Sequence, residues 1–339
     1  MDGSLHSRLL AWWGDDVFDP YRPTLDNPDV QRLAAQIGPG SHVTDLGGTM
    51  SLNARLDPAD LVLRVHQPFM SRQRLLAVQE VRRRLADLAL VVPVPLPWRS
   101  STVFRCGNRW AELEEYLPHA KPAPTPEAYT WLFRAMGALH RALATLDLTA
   151  PRPVVATYGP PRSLRRWLPV TDVAVQGDPE AENIVRLLRD LVSRLSGQWV
   201  PANRLPVQLV HGDVRLGNVR RTPDGETAYL DFGFLAHRPR VHELAYSLAF
   251  MVLALDGCEA PERFAWRLIP RLIEEYEAAS KSRLSPAERR ALAPYTAAVP
   301  LYHAAIAGFT LDPAGHLRDH LPFLRLGEWL LAHPDAILG

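Results

Sequence analysis

The chain has 339 residues, 47% of them hydrophobic, and a formal net charge of +1, enough for two packed lobes and without the basic field that nucleic acid or an anionic membrane would call for. Its two cysteines, Cys106 and Cys258, share no metal spacing, which argues against a disulfide framework and for a reducing compartment. No basic-then-apolar signal opens the chain, and the longest nearly apolar run, residues 244–255, is too short to span a bilayer, so a cytoplasmic, soluble chain is expected, with no nucleic-acid or membrane partner and an open oligomeric state.

An aromatic arm comes first, with Trp12, Trp13 and Phe18. It packs on a small lobe or, alternatively, caps a cleft or meets another protein. Asn27-Pro28 and Gly38 bracket a helix over residues 29–37. Residues 42–65 read as three strands, with Gly47-Gly48-Thr49-Met50-Ser51 between the first two. Glycines there let backbone N–H groups approach phosphates, or simply make a hairpin. Leucine and valine at helical spacing over residues 71–90 give an amphipathic helix whose wet face is arginine. Two further strands, 103–106 and 109–117, flank the turn Gly107-Asn108. The second strand ends Glu114-Glu115-Tyr116-Leu117-Pro118 and marks the expected boundary between a lobe of residues 1–117 and one of 118–339.

A second amphipathic helix is expected over residues 127–146, carrying His140, most simply a core histidine. Residues 147–206 form a long insert with helical patterns near Leu164 and from Pro179. After residue 243, helical spacing recurs over 244–255, 263–279, 286–307 and 317–332.

The chemistry gathers in residues 209–234. Two apolar runs flank a polar loop that holds Asp213 and Asn218, five residues apart, and Asp231, thirteen further on. Pro223-Asp224-Gly225 folds the stretch as a hairpin, bringing Asn218 and Asp231 together. Two oxygen ligands suit a hard cation such as Mg²⁺. Asp213 is then left to receive or orient a proton from an attacking hydroxyl, which is the arrangement of phosphoryl transfer.

His211-Gly212-Asp213-(four residues)-Asn218, followed by Leu230-Asp231-Phe232-Gly233, resembles the signature of the aminoglycoside phosphotransferase family, which includes choline, homoserine and fructosamine kinases. The resemblance implies an α+β, protein-kinase-like, two-lobed fold and transfer from ATP or GTP to a hydroxyl of a small molecule, either an antibiotic such as an aminoglycoside or an amino alcohol or sugar. It implies further that Asp213 is the base, that Asn218 and Asp231 are the Mg²⁺ ligands, and that Arg215 neutralises the passing phosphoryl group. By the same resemblance Gly47, Gly48, Thr49 and Ser51 form the nucleotide loop, and Arg64 stands where relatives place lysine; the chain's two lysines, Lys121 and Lys281, are far from it. Glu80 would pair with Arg64 or, as a plain helix residue, with Arg84, and Glu114 and Tyr116 would offer unpaired backbone to adenine. Glu243 replaces the family's usual aspartate in a structural role. His237 and His242 could alternatively join Asp231 at a metal.

The acceptor stays open. A polycation would call for acids, and only Glu274, Glu275 and Glu277 cluster. A nucleotide-binding protein without transfer activity, and an interaction scaffold built on the aromatic arm, remain the other readings.

Overall fold

A computed structural model describes residues 22–48, 50–154, 157–255 and 257–338. Thr49 and the aromatic residues Trp12, Trp13 and Phe18 lie outside the described residues. The chain forms two units. One takes Met1–His119 with Ala150–Val154 and Thr222–Tyr229; the other takes Ala120–Thr149, Val155–Arg221 and Leu230–Gly339.

The first unit is an antiparallel sheet with two helices. Helix α1 (Pro28–Ile37) is capped by the Asn27 side chain, which accepts from the Asp29 and Val30 amides. Strands β1 (His42–Asp45), β2 (Leu52–Asp57), β3 (Leu61–Val65), β4 (Pro95–Leu96), β5 (Phe104–Cys106) and β6 (Arg109–Glu115) follow. The sheet order is β1-β2-β3-β6-β4, with β5 also on β6. Alternation divides its faces. Leu52, Ala54, Leu56, Leu63, Val65, Ala111 and Leu113 pack with Val30, Leu33 and Ala34 of α1 in one apolar core. The opposite parity puts Arg64, Glu112 and Glu114 on the other face, toward α2 (Arg72–Asp87), whose Gln79 and Arg82 bond to it. Ser71 caps α2.

The second unit is helical. Its helices are α3 (Pro126–Leu143), α4 (Pro161–Ala174), α5 (Pro179–Gln198), α6 (Arg240–Ala254), α7 (Leu268–Ser280), α8 (Pro286–Ala305), α9 (Pro313–Asp319) and α10 (Leu321–Ala332). Residues 317–332, one helix by periodicity, are two. Pro322 in the first turn of α10 lacks the N–H a continuous helix would use. Helix α6 is buried nearly all round, as its unbroken apolar run requires. No helix among the described residues is long and apolar enough to cross a membrane.

Four short strands carry the loops of interest. Strands β7 (Val207–Val210) and β10 (Ala236–Pro239) pair antiparallel, with Leu209 opposite His237. Between them in sequence, β8 (Val219–Arg221) and β9 (Thr227–Tyr229) pair as a two-stranded sheet. The chain therefore leaves β7 directly into His211 and re-enters β10 five residues after Asp231.

Candidate active site

The loop after β7 is held from below by one carboxylate. Glu243, fully buried on α6, accepts from the His211 amide at 3.1 Å and from the Gly212 amide. The His140 Nε2–H donates to the same carboxylate at 2.7 Å, and the Tyr276 hydroxyl donates to His140 Nδ1 at 2.8 Å. Burial raises the Glu243 pKa, but the bond and charge of His140, with His211 and His242, bring it below the ordinary carboxylate range. His140 is thus a structural histidine, as the plainer sequence reading has it.

Gly212 takes φ +88°, and a Cβ there would lie 2.5 Å from the Phe234 carbonyl oxygen. Both facts demand glycine. Its own carbonyl accepts from Thr157 Oγ1 at 2.5 Å. Sequence reading missed Thr157, which lies in the featureless insert. The His211 ring spans the two motif loops: Nδ1 accepts from the Asp213 amide at 3.2 Å, and Nε2–H donates to the Leu230 carbonyl at 2.8 Å. The loop is closed further by the Leu230 amide on the Asn218 carbonyl at 2.8 Å.

This scaffold presents Asp213, whose side chain is 4% exposed. Arg215 donates to both its oxygens, Nε to Oδ1 at 2.6 Å and Nη2 to Oδ2 at 3.0 Å. Asn218 Nδ2 donates to Oδ2 at 2.7 Å and to the Asp213 carbonyl at 2.9 Å. The Tyr246 phenol faces the same carboxylate. Burial raises the Asp213 pKa, Arg215 opposes this, and the nearby Asp231 charge adds to it; the net shift is upward. Asp231 adopts φ +58°, ψ +66°, a conformation that aspartate tolerates better than most residues. With its Nδ2 donating to Asp213, the Asn218 side chain has its Oδ1 to offer a cation. An amide oxygen and a carboxylate fit Mg²⁺, which keeps most of its shell as water and phosphate oxygen. No group of three or more His, Cys, Asp or Glu suited to a metal occurs among the described residues. His242 is fully buried, its pKa pushed down to about 3 by burial and then by Arg238, and it meets Thr157 Oγ1 at 3.3 Å. It is part of the loop's support.

The sheet unit holds the other half of the predicted residues. Gly47 and Gly48 have φ +84° and +111°. The Gly47 amide donates to Asp45 Oδ1 at 2.8 Å, and its carbonyl accepts from Asn53 Nδ2 at 2.8 Å. Asn53 Oδ1 in turn accepts from Arg64 Nε at 2.8 Å, so Asn53 couples the glycine loop to Arg64. Ser51 lies in the same loop, beside β2.

Two sequence expectations need correction. Glu80 does not meet Arg64. Its carboxylate takes Arg84 Nε at 2.8 Å and Arg83 at 3.5 Å on the exposed face of α2. The helix turns Gln79 and Arg82 inward, and Glu80 lies one residue, about 100°, away from that face. The buried charges are reversed in sense: the helix supplies Arg82 and the strand supplies the acids. Arg82, 1% exposed, bonds Glu112 and, at 2.6 Å, Glu114. Glu112 also accepts from Gln79 at 2.9 Å and meets His66 Nε2 at 3.1 Å. Register places Glu112 opposite Arg64. Burial raises the Glu112 pKa, and Arg82, then His66, then Arg64 overcome this and hold it far below the ordinary range.

The second correction concerns unpaired backbone at the strand end. Glu114 has Val62 of β3 on one side and Pro95 of β4 on the other. The Tyr116 amide donates to the Asp60 carbonyl at 2.8 Å. Neither residue offers the free N–H that the reading asked of it. Of the clustered acids, Glu275 pairs with Arg134 at 2.8 Å and Glu277 with Arg289 at 2.6 Å.

Residues 52–295 match the model of the phosphotransferase enzyme family. The chain belongs to that family. It is a phosphotransferase, and the lobed α+β fold is the one its solved relatives share. Similar structures include a microcompartment-associated aminopropanol kinase, 16% identical, TM-score 0.70, over 91% of this chain and 98% of that one. An amicoumacin kinase in complex with AMP-PNP, Ca²⁺ and Ami is 16% identical, TM-score 0.66, over 96% of both chains. A choline kinase from Cryptosporidium parvum Iowa II is 11% identical, TM-score 0.63, over 91% and 97%. No curated protein matches the sequence.

Proposed function

We propose that this phosphotransferase moves the γ-phosphoryl group of ATP or GTP to a hydroxyl of a small molecule. The observation that carries the reading is the buried Asp213 carboxylate bound by Arg215 and Asn218, with Asp231 close enough to raise its pKa. Asp213 receives the hydroxyl proton as the oxygen attacks. A carboxylate has about four lone-pair positions; Arg215 and Asn218 fill three and the Tyr246 phenol takes the fourth. The hydroxyl therefore needs one of these donors to leave. Arg215, whose side chain is 38% exposed, is the one that does so, turning its guanidinium to the incoming phosphoryl oxygens.

The Asn218 amide oxygen and the Asp231 carboxylate would hold Mg²⁺. That ion, when bound, neutralises and orients the nucleotide phosphates. The amicoumacin kinase carries AMP-PNP and Ca²⁺, a nucleoside triphosphate analogue and a hard cation, which supports both donor and metal class. In the sheet unit, Arg64 binds phosphate oxygens and the loop at Gly47, Gly48 and Ser51 covers them. Glu112 fixes Arg64 in the place first given to Glu80. Catalysis rests on positioning and charge neutralisation.

The test is transfer from Mg·ATP and Mg·GTP to a panel of hydroxylated acceptors, followed by mass spectrometry, with Asp213→Asn and Asp231→Ala beside the native chain. A phosphorylated product absent from the Asp213→Asn reaction supports the reading. Unchanged Mg²⁺-dependent nucleotide binding by Asp231→Ala would remove the metal assignment.

A further inference from the structure

Beyond Arg215 the helical unit presents a continuous row of rings. The Arg215 guanidinium carbon lies 4.9 Å from the Phe250 ring centroid. Phe250 meets Tyr246 at 4.9 Å, His303 at 5.5 Å and Phe323 at 5.7 Å. His303 lies parallel to His320 at 5.9 Å, and His320 stacks on His316 at 4.0 Å. Helices α6, α8, α9 and α10 all contribute, so the row is a product of tertiary packing. Phe250, His303, His316 and His320 are each partly exposed; a sealed core would have covered them.

The polar edges of the row are specific. His316 Nε2–H donates to the His303 carbonyl, and His320 Nδ1–H to the His316 carbonyl, both at 2.8 Å. Each ring keeps its other nitrogen as an acceptor. His303 Nε2 is buried and meets no hydrogen-bond partner. Burial, then His320, His316 and Arg215, push the His303 pKa down to about 3. Burial also lowers that of His316. Both shifts favour the neutral imidazole.

Charge around the row is mixed. Arg215 faces Phe250 and His303, and Arg238 acts on Tyr302 beside them. The carboxylates at the Arg215 end are Asp213 and Asp231, which the reaction employs. Asp312 and Asp319 act at His316, the other end of the row. Arg215 also covers a face of Phe250, the surface on which an ammonium group would be attracted by the ring.

We propose that this row is the acceptor wall, and that it takes a hydroxylated aromatic or conjugated molecule. The proposal rests on the kinase reading above. Flat rings stack on Phe250 and the histidines, and the free imidazole nitrogens accept from further hydroxyl groups of the acceptor. The transfer is balanced as before: the acceptor oxygen bonds to the γ-phosphorus, the bond from γ-phosphorus to the bridging oxygen breaks, the proton passes to Asp213, and the nucleoside diphosphate leaves.

The test compares 4-methylbenzyl alcohol with cyclohexylmethanol, a flat ring against a puckered one. Binding is followed by saturation-transfer NMR with Mg·AMP-PNP present, and turnover with Mg·ATP. The benzyl alcohol should bind and turn over about fivefold to tenfold better, the worth of one aromatic pair. Phe250→Ala should raise its KM with little change in kcat. Equal or weaker binding of the benzyl alcohol overturns the proposal. A nucleotide-dependent rise in Tm is measured alongside; its loss would instead refute the kinase reading.

Discussion

Arg215 grips Asp213 as a fork, with Nε 2.6 Å from one carboxylate oxygen and Nη2 3.0 Å from the other. The pair sits in a site where burial favours the protonated acid and the arginine charge favours the carboxylate. Burial prevails, with help from Asp231, and the Asp213 pKa lies above that of an ordinary aspartate.

The sign of the pH dependence follows. As the proposed base, Asp213 must be ionised, so kcat/KM should rise with pH through its pKa, on a limb above the ordinary aspartate range. Arg215→Met removes a charge that lowers this pKa, so the limb should move to higher pH. Arg215→Lys should return it part of the way. A pH profile of kcat/KM decides; a limb that stays fixed in Arg215→Met would mean that another group titrates.

Glu80 and Glu112 make opposite predictions. Glu80 is a surface helix partner of Arg84, so Glu80→Ala should shift stability by under ~0.5 kcal/mol and leave nucleotide KM alone. Glu112→Gln keeps the shape but removes the charge facing Arg82 and Arg64. Nucleotide KM should rise several-fold, and stability should fall by about 3–5 kcal/mol, as for a broken buried ion pair. Nucleotide titrations and urea unfolding of both variants separate the two sites.

Glu243 should behave as the anchor of the catalytic loop. Glu243→Ala strands the His211 and Gly212 amides and His140, all buried, and is expected to cost about 3–5 kcal/mol. Glu243→Asp keeps the charge and should recover part of the loss. The folded pKa of this group is depressed, so its stabilisation is present above the unfolded-state value and is lost as pH falls through the folded one. Urea unfolding at several acidic pH values checks it: the native chain should lose more stability on acidification than Glu243→Gln.

Asn53→Ala uncouples the glycine loop from Arg64. Nucleotide KM should rise by about threefold to tenfold, the worth of one or two net hydrogen bonds, with little change in the KM of the acceptor. A rise confined to the acceptor would place Asn53 elsewhere in the mechanism.

Residue order carried a large part of this protein. Apolar spacing at periods of 3.6 and 2 placed α1, α2, α3 and β6 to within a few residues, because those periods are set by backbone geometry whatever the tertiary context. The grouping at the candidate site was legible because its members are close in sequence. Asp213, Arg215 and Asn218 lie within six residues, close enough for one loop to bring their side chains together. The single helix expected over 317–332 failed at Pro322, a local signal that periodicity outweighed.

What the sequence could not decide was which distant side chains meet. Glu80 was chosen as the acid in mid-helix, but a helix offers one face to a sheet, and its rotation is fixed by packing Leu75, Val78, Val81 and Leu85. That rotation sent Glu80 outward and Arg82 inward, onto acids thirty and thirty-two residues away. Thr157 has no spacing to betray it, and the ring row from Phe250 to His316 is assembled from four helices, α6, α8, α9 and α10. Local order fixed the loops and their chemistry; the burial of apolar faces, which sets how helices and strands turn toward one another, decided the partners of the charges and the wall beside them.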